Sequence, residues 1–212
     1  GDKDAIKLQG LLEKIKVTLE AEKLANSISF DEEEKKLVRE LHLITMKPFL
    51  YVLNKQSGGK NLDEMKDERF EKLMKYFADH KYHYVVVDAK IEDELKEFEG
   101  EEKEVMRKEL NAHDNGIDSL IKAGYDLLSL ESYLTTGEME TRAWTIKKGS
   151  TAPRAAAAIH TDFETKFIRA EVVAYTDLVE AGSFTEAKAQ GKVRTEGKDY
   201  IVKDGDVIEF RI

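Results

Sequence analysis

Two groups of residues in this 212-residue chain carry enough polar chemistry to bind a ligand. The first lies within "AWTIKKGSTAPRAAAAIHTDFETKFIR", where Lys147, Lys148, Arg154, Lys166 and Arg169 supply fixed positive charge and His160 a titratable ring. Exposed cations of this kind pair with phosphate oxygens, and the competing reading is a plain solvated face diluted by neighbouring acids. The second group closes two apolar runs. Asn54 and Lys55 follow "FLYVL", and Asp88, Ala89 and Lys90 follow "YHYVVV". In strand–helix–strand units the ligand sits beyond the carboxyl ends of the strands, which is where these residues fall. Read blandly, Asn54 ends a strand in a turn and Asp88 caps a helix beginning near Ile91. No acid/base pair or nucleophile is in view, so no catalytic residue is assigned.

Other candidates resolve to ordinary surface. His80 and His83 have metal-like spacing, but no second His pair or suitably placed acid completes a site. His42, inside a predicted helix, and His113, at a helix start, are equally unremarkable, so no metal site is expected. "QSGGKN" from Gln56 has glycines and Lys60, yet lacks the spacing that cradles phosphate with successive backbone N–H groups, and reads as a surface loop.

The elements that must position these residues are constrained by composition. With 41% hydrophobic and 36% charged residues the chain can bury a core of one or two domains. A net charge of -9 argues against binding DNA through bulk charge, so any nucleic-acid contact must be local. The absence of cysteine removes disulfides, thiolate nucleophiles and Cys-ligated zinc. No apolar run is long enough to cross a bilayer and no secretory signal pattern precedes "GDKDAIKLQG", so a soluble, cytoplasmic protein without membrane contact is expected.

Ala5, Leu8, Leu12, Ile15 and Leu19 predict a coiled-coil-like seam on a first helix, either docked on its own domain or one arm of a hairpin. "SFDEEEKKLVRELHLI" predicts a helix capped by Ser29, with Leu37, Leu41 and Ile44 inward. The runs at Phe49–Asn54 and Tyr82–Ala89 predict strands buried on both faces, joined through a helix bearing Met65, Phe70, Leu73, Met74 and Phe77. Two parallel strands make no stable sheet alone, so further strands must come from elsewhere. A charged helix over Glu92–Leu110 and an apolar-striped one from Ile117 to Leu134 follow. "TTGE" at Thr135–Glu138 then breaks the pattern. Beyond it the segments predict a small mixed sheet curled on one helix, a β-grasp, with Trp144 in its core, His160 at the helix exit, and a hairpin turn at Asp204-Gly205-Asp206. The predicted domains are a helical arm (1–28), an α/β unit (29–136) and an α+β unit (137–212).

At "RAWTIKKGSTAPRAAAAIHTDFETKFIRAEVVAY" and "GKVRTEGKDYIVKDGDVIEFRI" the chain resembles the C-terminal TGS-containing domain of the YchF group, the Obg-like P-loop ATPases. "LITMKPFLYVLN" and "AGYDLLSLESYLTTGE" resemble the second part of that family's G domain, and the first helix resembles the returning arm of its helical hairpin. The resemblance implies that the GxxxxGK[ST] phosphate loop and magnesium ligands lie ahead of Gly1, and that 29–136 is a partial G domain. Asn54-Lys55-Gln56-Ser57 stands where the family carries NxxE and related GTPases NKxD, and "DAKIE" stands for a SAxxE-type segment. By that likeness Asn54, Lys55, Ala89 and Lys90 bind the nucleotide base. Ser57 in place of the acid leaves the choice of ATP or GTP open, leaning to adenine.

The intact family member would use ATP, or GTP, with magnesium. This chain alone would bind neither tightly and would not hydrolyse them, because phosphoryl transfer depends on the parts it lacks. Ribosome or ribosomal RNA is the implied partner, through Lys147, Lys148, Arg154, His160, Lys166 and Arg169. The alternative is a non-enzymatic RNA- or protein-binding module.

Overall fold

The computed structural model describes residues 3–110, 112, 116–137 and 140–212. His113 and Glu138 lie outside the described residues. The chain divides into two compact units, Gly1–Leu120 and Ile121–Ile212.

The first unit opens with α1 (Lys3–Glu20), which buries Leu11 and Ile15. The buried stripe is offset from the predicted seam, because Ala5, Leu12 and Leu19 remain exposed and only Ile15 is shared. Leu11 and Ile15 join Ala25, Phe30 and Val38 in one core, so the helix docks on its own neighbours. The next helix, α2 (Glu32–Arg39), starts later than predicted. Asp31, not Ser29, is its N-cap: Asp31 Oδ1 accepts from Glu34 N–H at 2.7 Å while Glu34 Oε2 accepts from Asp31 N–H at 2.9 Å. This reciprocal box satisfies two of the N–H groups that a helix start leaves open. The helix ends by Arg39, so Ile44 lies beyond it, 70% exposed, and His42 is in a left-handed turn at φ 48°.

β1 (Leu50–Asn54), the short α3 (Leu62–Met65), α4 (Glu68–His80) and β2 (His83–Val87) form the predicted crossover. The strands pair in parallel from Leu50↔His83 to Asn54↔Val87. They are not buried on both faces, since Tyr51, Val52 and Tyr84 are exposed, whereas Phe77 of α4 is buried against them. Asp67 caps α4 by accepting from Arg69 and Phe70 N–H. The predicted charged helix over Glu92–Leu110 is two helices, α5 (Ala89–Leu95) and α6 (Gly100–Glu109), broken at Gly100 with φ 53°, a conformation that only glycine takes without strain.

α7 (Gly116–Leu127) contains the division between the units. It stops at Ser129, φ 51°, and the segment predicted to continue its stripe is β3 (Leu130–Thr136). β3 pairs antiparallel with β4 (Thr141–Lys147) and parallel with β7 (Asp206–Arg211). The predicted boundary at 136/137 would therefore cut a strand from its own sheet, and the division falls before Leu130.

After β4 come α8 (Ala152–Ala156), α9 (Thr161–Lys166), β5 (Arg169–Ala174), α10 (Tyr175–Ala181), α11 (Phe184–Ala189) and β6 (Arg194–Glu196), with β7 last. Pro153 stands in the first turn of α8, where its missing N–H costs nothing. The sheet order is β4-β3-β7-β5-β6. The turn at Asp204-Gly205-Asp206 leads into β7 but makes no β6–β7 hairpin, because β5 lies between those strands.

Both sheet faces are covered, which is why β5 reads as a near-continuous apolar run. Ala170, Val172 and Ile208 pack with Tyr133, Ile146 and the buried alanines of α8, while Val173 and Val207 pack with Ala187 of α11. Trp144 lies at the rim of the first core and not inside it. Its Nε1 donates to Thr135 Oγ1 at 2.9 Å and Arg142 stacks 4.2 Å from its ring centre.

Candidate functional site

The carboxyl ends of β1 and β2 bring together the first set of expected site residues. Because the strands are parallel and in register, Asn54 and Val87 end side by side, and Lys55 N–H donates to Val87 O at 2.7 Å. Asn54 Oδ1 accepts the Ala89 N–H at 3.0 Å, bridging the two strand ends. Asp88 caps α5 by accepting from Ile91 N–H at 3.1 Å, and its carbonyl accepts from Glu92 N–H. Of the N–H groups that this helix start leaves open, those of Ala89 and Ile91 are thus engaged, and the Glu92 N–H makes the first intrahelical bond. The Lys90 N–H has no protein acceptor among the described residues. The expectation that both Ala89 and Lys90 amides face a base therefore divides: the first is held by Asn54, the second is open.

Lys55 is drawn toward α3. Its amine lies 2.5 Å from Glu64 Oε1 and 3.3 Å from Asp63 Oδ2, and the Glu64 hydrogen bond, outweighing burial, raises the Lys55 pKa. The same contact lowers that of Glu64. Lys55 borders two clefts, of about 390 and 540 Å3, the second also lined by Gly58, Asp88 and Glu92. The glycine loop is closed on itself: Asn61 Oδ1 accepts from Gln56 N–H at 2.8 Å, and its amide donates to Gln56 O and Gly59 O. Its amides do not converge as a phosphate cradle does.

Several members of the second set are engaged within the protein. Lys147 Nζ donates to Leu128 O at 2.8 Å. His160 starts α9 instead of ending a helix, and its Nδ1 accepts from Asp162 N–H at 3.2 Å. Lys166 pairs with Asp162 at 2.9 Å, and Arg169 lies 3.8 Å from the buried carboxylate of Glu171. Lys148 and Arg154 are exposed and carry no ion pair among the described residues.

Comparison with known proteins places this geometry. Residues 130–212 match the family model YchF-GTPase_C, described as a protein of unknown function. The protein named "Ribosome-binding ATPase YchF" from Bacillus subtilis (strain 168) is 51% identical over 210 residues, covering 99% of this chain and 57% of the relative. Its namesake in Haemophilus ducreyi is 43% identical over 212 residues, again covering 57% of the relative. The chain belongs to the YchF family. The solved structure of the Schizosaccharomyces pombe YchF GTPase superposes with a TM-score of 0.79 at 31% identity, covering 99% of this chain and 55% of that one. The chain thus spans a little over half the length of the YchF relatives it matches.

One feature of this YchF chain escaped the sequence reading. Glu92 and Arg107 are both 7% exposed, and Glu92 Oε1 accepts from Arg107 Nη1 at 3.1 Å and from Gly116 N–H at 2.8 Å. A Cβ at Gly116 would crowd this contact, meeting Val87 Cγ1 at 3.0 Å and Glu92 Oε1 at 3.2 Å. The pair ties α5, α6 and the start of α7 together directly behind the strand ends. Its only sequence signal was Glu92 standing in a charged run, where burial is invisible. Among the described residues no three His, Cys, Asp or Glu side chains cluster as a metal site.

Proposed function

We propose that this chain is the C-terminal portion of a ribosome-associated nucleotide-binding ATPase or GTPase, comprising part of a G domain and a TGS β-grasp module. The observation that carries the reading is the Asn54–Ala89 bridge at the carboxyl ends of two parallel strands, where α/β folds bind ligands. In this reading Asn54 buttresses the base pocket, the Lys55 stem covers the base once its amine leaves Glu64, and the Lys90 amide donates to the base edge. Ser57 supplies no carboxylate to reject adenine, so ATP is accepted. A bound nucleotide and magnesium supply the reactive phosphate, and the groups that hold the phosphates and metal belong to sequence outside this chain. Hydrolysis by this chain alone is not expected.

The mixed five-stranded sheet with α8 on one face supports the TGS assignment, and the names of the relatives support a ribosomal, hence cytoplasmic, setting. Among the described residues no helix is long and apolar enough to cross a membrane. Co-sedimentation with purified ribosomal subunits at two salt concentrations tests the reading. Salt-sensitive association is expected. Binding that is absent at both concentrations sinks the ribosomal partner, and ATP turnover by this chain sinks the division of labour.

A further inference from the structure

The C-terminal unit holds a groove of about 820 Å3 whose apolar wall is formed by Ile121 and Tyr125 of α7 and by Ile201. Ile121 and Ile201, 53% and 46% exposed, both line it. The Tyr125 hydroxyl is fixed by Thr145 Oγ1 at 2.9 Å, which holds its ring in place.

Lys122, Lys148 and Lys203 stand around this wall. None of the three ammonium groups makes a hydrogen bond or ion pair among the described residues, in a unit where most other cations of interest are already engaged. Three carboxylates also border the groove, and two of them face backbone. Glu131, 7% exposed, accepts from Gly149 N–H at 3.2 Å, and Asp204 Oδ1 accepts from Ser132 N–H at 2.8 Å. The groove is formally neutral within a chain of net charge -9, but its available hydrogen-bonding groups are mainly donors. An apolar wall bordered by three unpaired ammonium groups complements a ligand with a planar face and several anionic oxygens.

We propose that this groove takes a nucleotide of single-stranded RNA, its base on Ile121, Tyr125 and Ile201 and its phosphates on Lys122, Lys148 and Lys203. The proposal rests on the ribosomal reading above and changes its address: Lys122 and Lys203 replace Lys147, Lys166 and Arg169 as the main contacts.

Fluorescence anisotropy with a labelled, unstructured oligouridine of about 12 nucleotides tests it on the whole chain. Replacing the three lysines (Lys122→Gln, Lys148→Gln, Lys203→Gln) should weaken binding by about tenfold or more and flatten the log K against log salt slope by roughly 2, as three lost phosphate contacts require. Ile201→Ser should weaken binding several-fold without changing that slope. Wild-type binding that survives both changes overturns the groove while leaving ribosome association standing. Ribosome co-sedimentation without any affinity for the oligonucleotide has the same meaning. Displacement of the RNA by AMP at equal concentration would make free nucleotide the occupant and overturn the RNA assignment. Failure of both the oligonucleotide and ribosomes to bind removes the parent reading as well.

Discussion

The two units of this chain treat their sheets differently. The C-terminal unit closes five strands between α8 on one face and α10 and α11 on the other, and Tyr133, Val172, Val173, Val202, Val207 and Ile208 are 2% exposed or less. The N-terminal unit offers two parallel strands whose Val52 is 47% exposed and whose Tyr51 and Tyr84 are 36% and 41% exposed. A two-stranded sheet is below the size that holds itself together, so this unit depends on what surrounds the strands: Phe77 beneath them and the Glu92–Arg107 pair behind. One unit is secured by a sheet covered on both faces, the other by a small helical core, Phe77 under two strands and one buried polar tie.

The largest expected effect tests that dependence. Glu92→Ala removes the buried acceptor shared by Arg107 Nη1 and the Gly116 N–H and should destabilise the N-terminal unit by about 1–3 kcal/mol. The sole tryptophan, Trp144, reports only on the C-terminal unit, so urea unfolding followed by its fluorescence should be unchanged while helical circular dichroism loses amplitude early. A shift of both signals together would break the comparison. In the other unit, Tyr133→Phe removes the buried hydroxyl's 3.0 Å hydrogen bond to the Ala155 carbonyl, which keeps the Ala158 N–H, and should cost about 1 kcal/mol, read on the tryptophan transition alone.

The smallest effect concerns acid. The Lys188 hydrogen bond holds the Glu171 carboxyl below its usual range, against the opposing pull of burial and with help from Arg211 and Arg169. A carboxyl lowered in the folded state gives its full stabilisation above the unfolded value, about pH 4, and loses it as pH falls through the folded one. Glu171→Gln should therefore flatten the fall of the tryptophan-detected Tm below about pH 4. An unchanged slope would show that other carboxylates carry the acid sensitivity.

Periodicity revealed most of the elements and little of their ends. β1, β2, β4 and β5 were legible because short apolar or alternating runs have few other uses. β3 was hidden, since Leu127, Leu128 and Leu134 extend a helical stripe across Ser129, where one left-handed residue switches the period. The first helix turned its stripe by one position because its partners, Phe30 and Val38, come from a segment whose packing no local pattern encodes. At the strand ends, the sequence pointed to Asn54 and Ala89, but only geometry shows that they bond to each other and leave Lys90 as the open donor. The Glu92–Arg107 contact joins residues in two helices that read as one, so no spacing rule could find it.

The exposed pair of strands has a practical consequence. The outer edges of this two-stranded sheet, beside the exposed Tyr51, Val52 and Tyr84, are a template onto which another polypeptide can add as a further strand. Association of copies through the flank of β1 and β2 is the expected failure at high concentration, read as light scattering that rises with concentration.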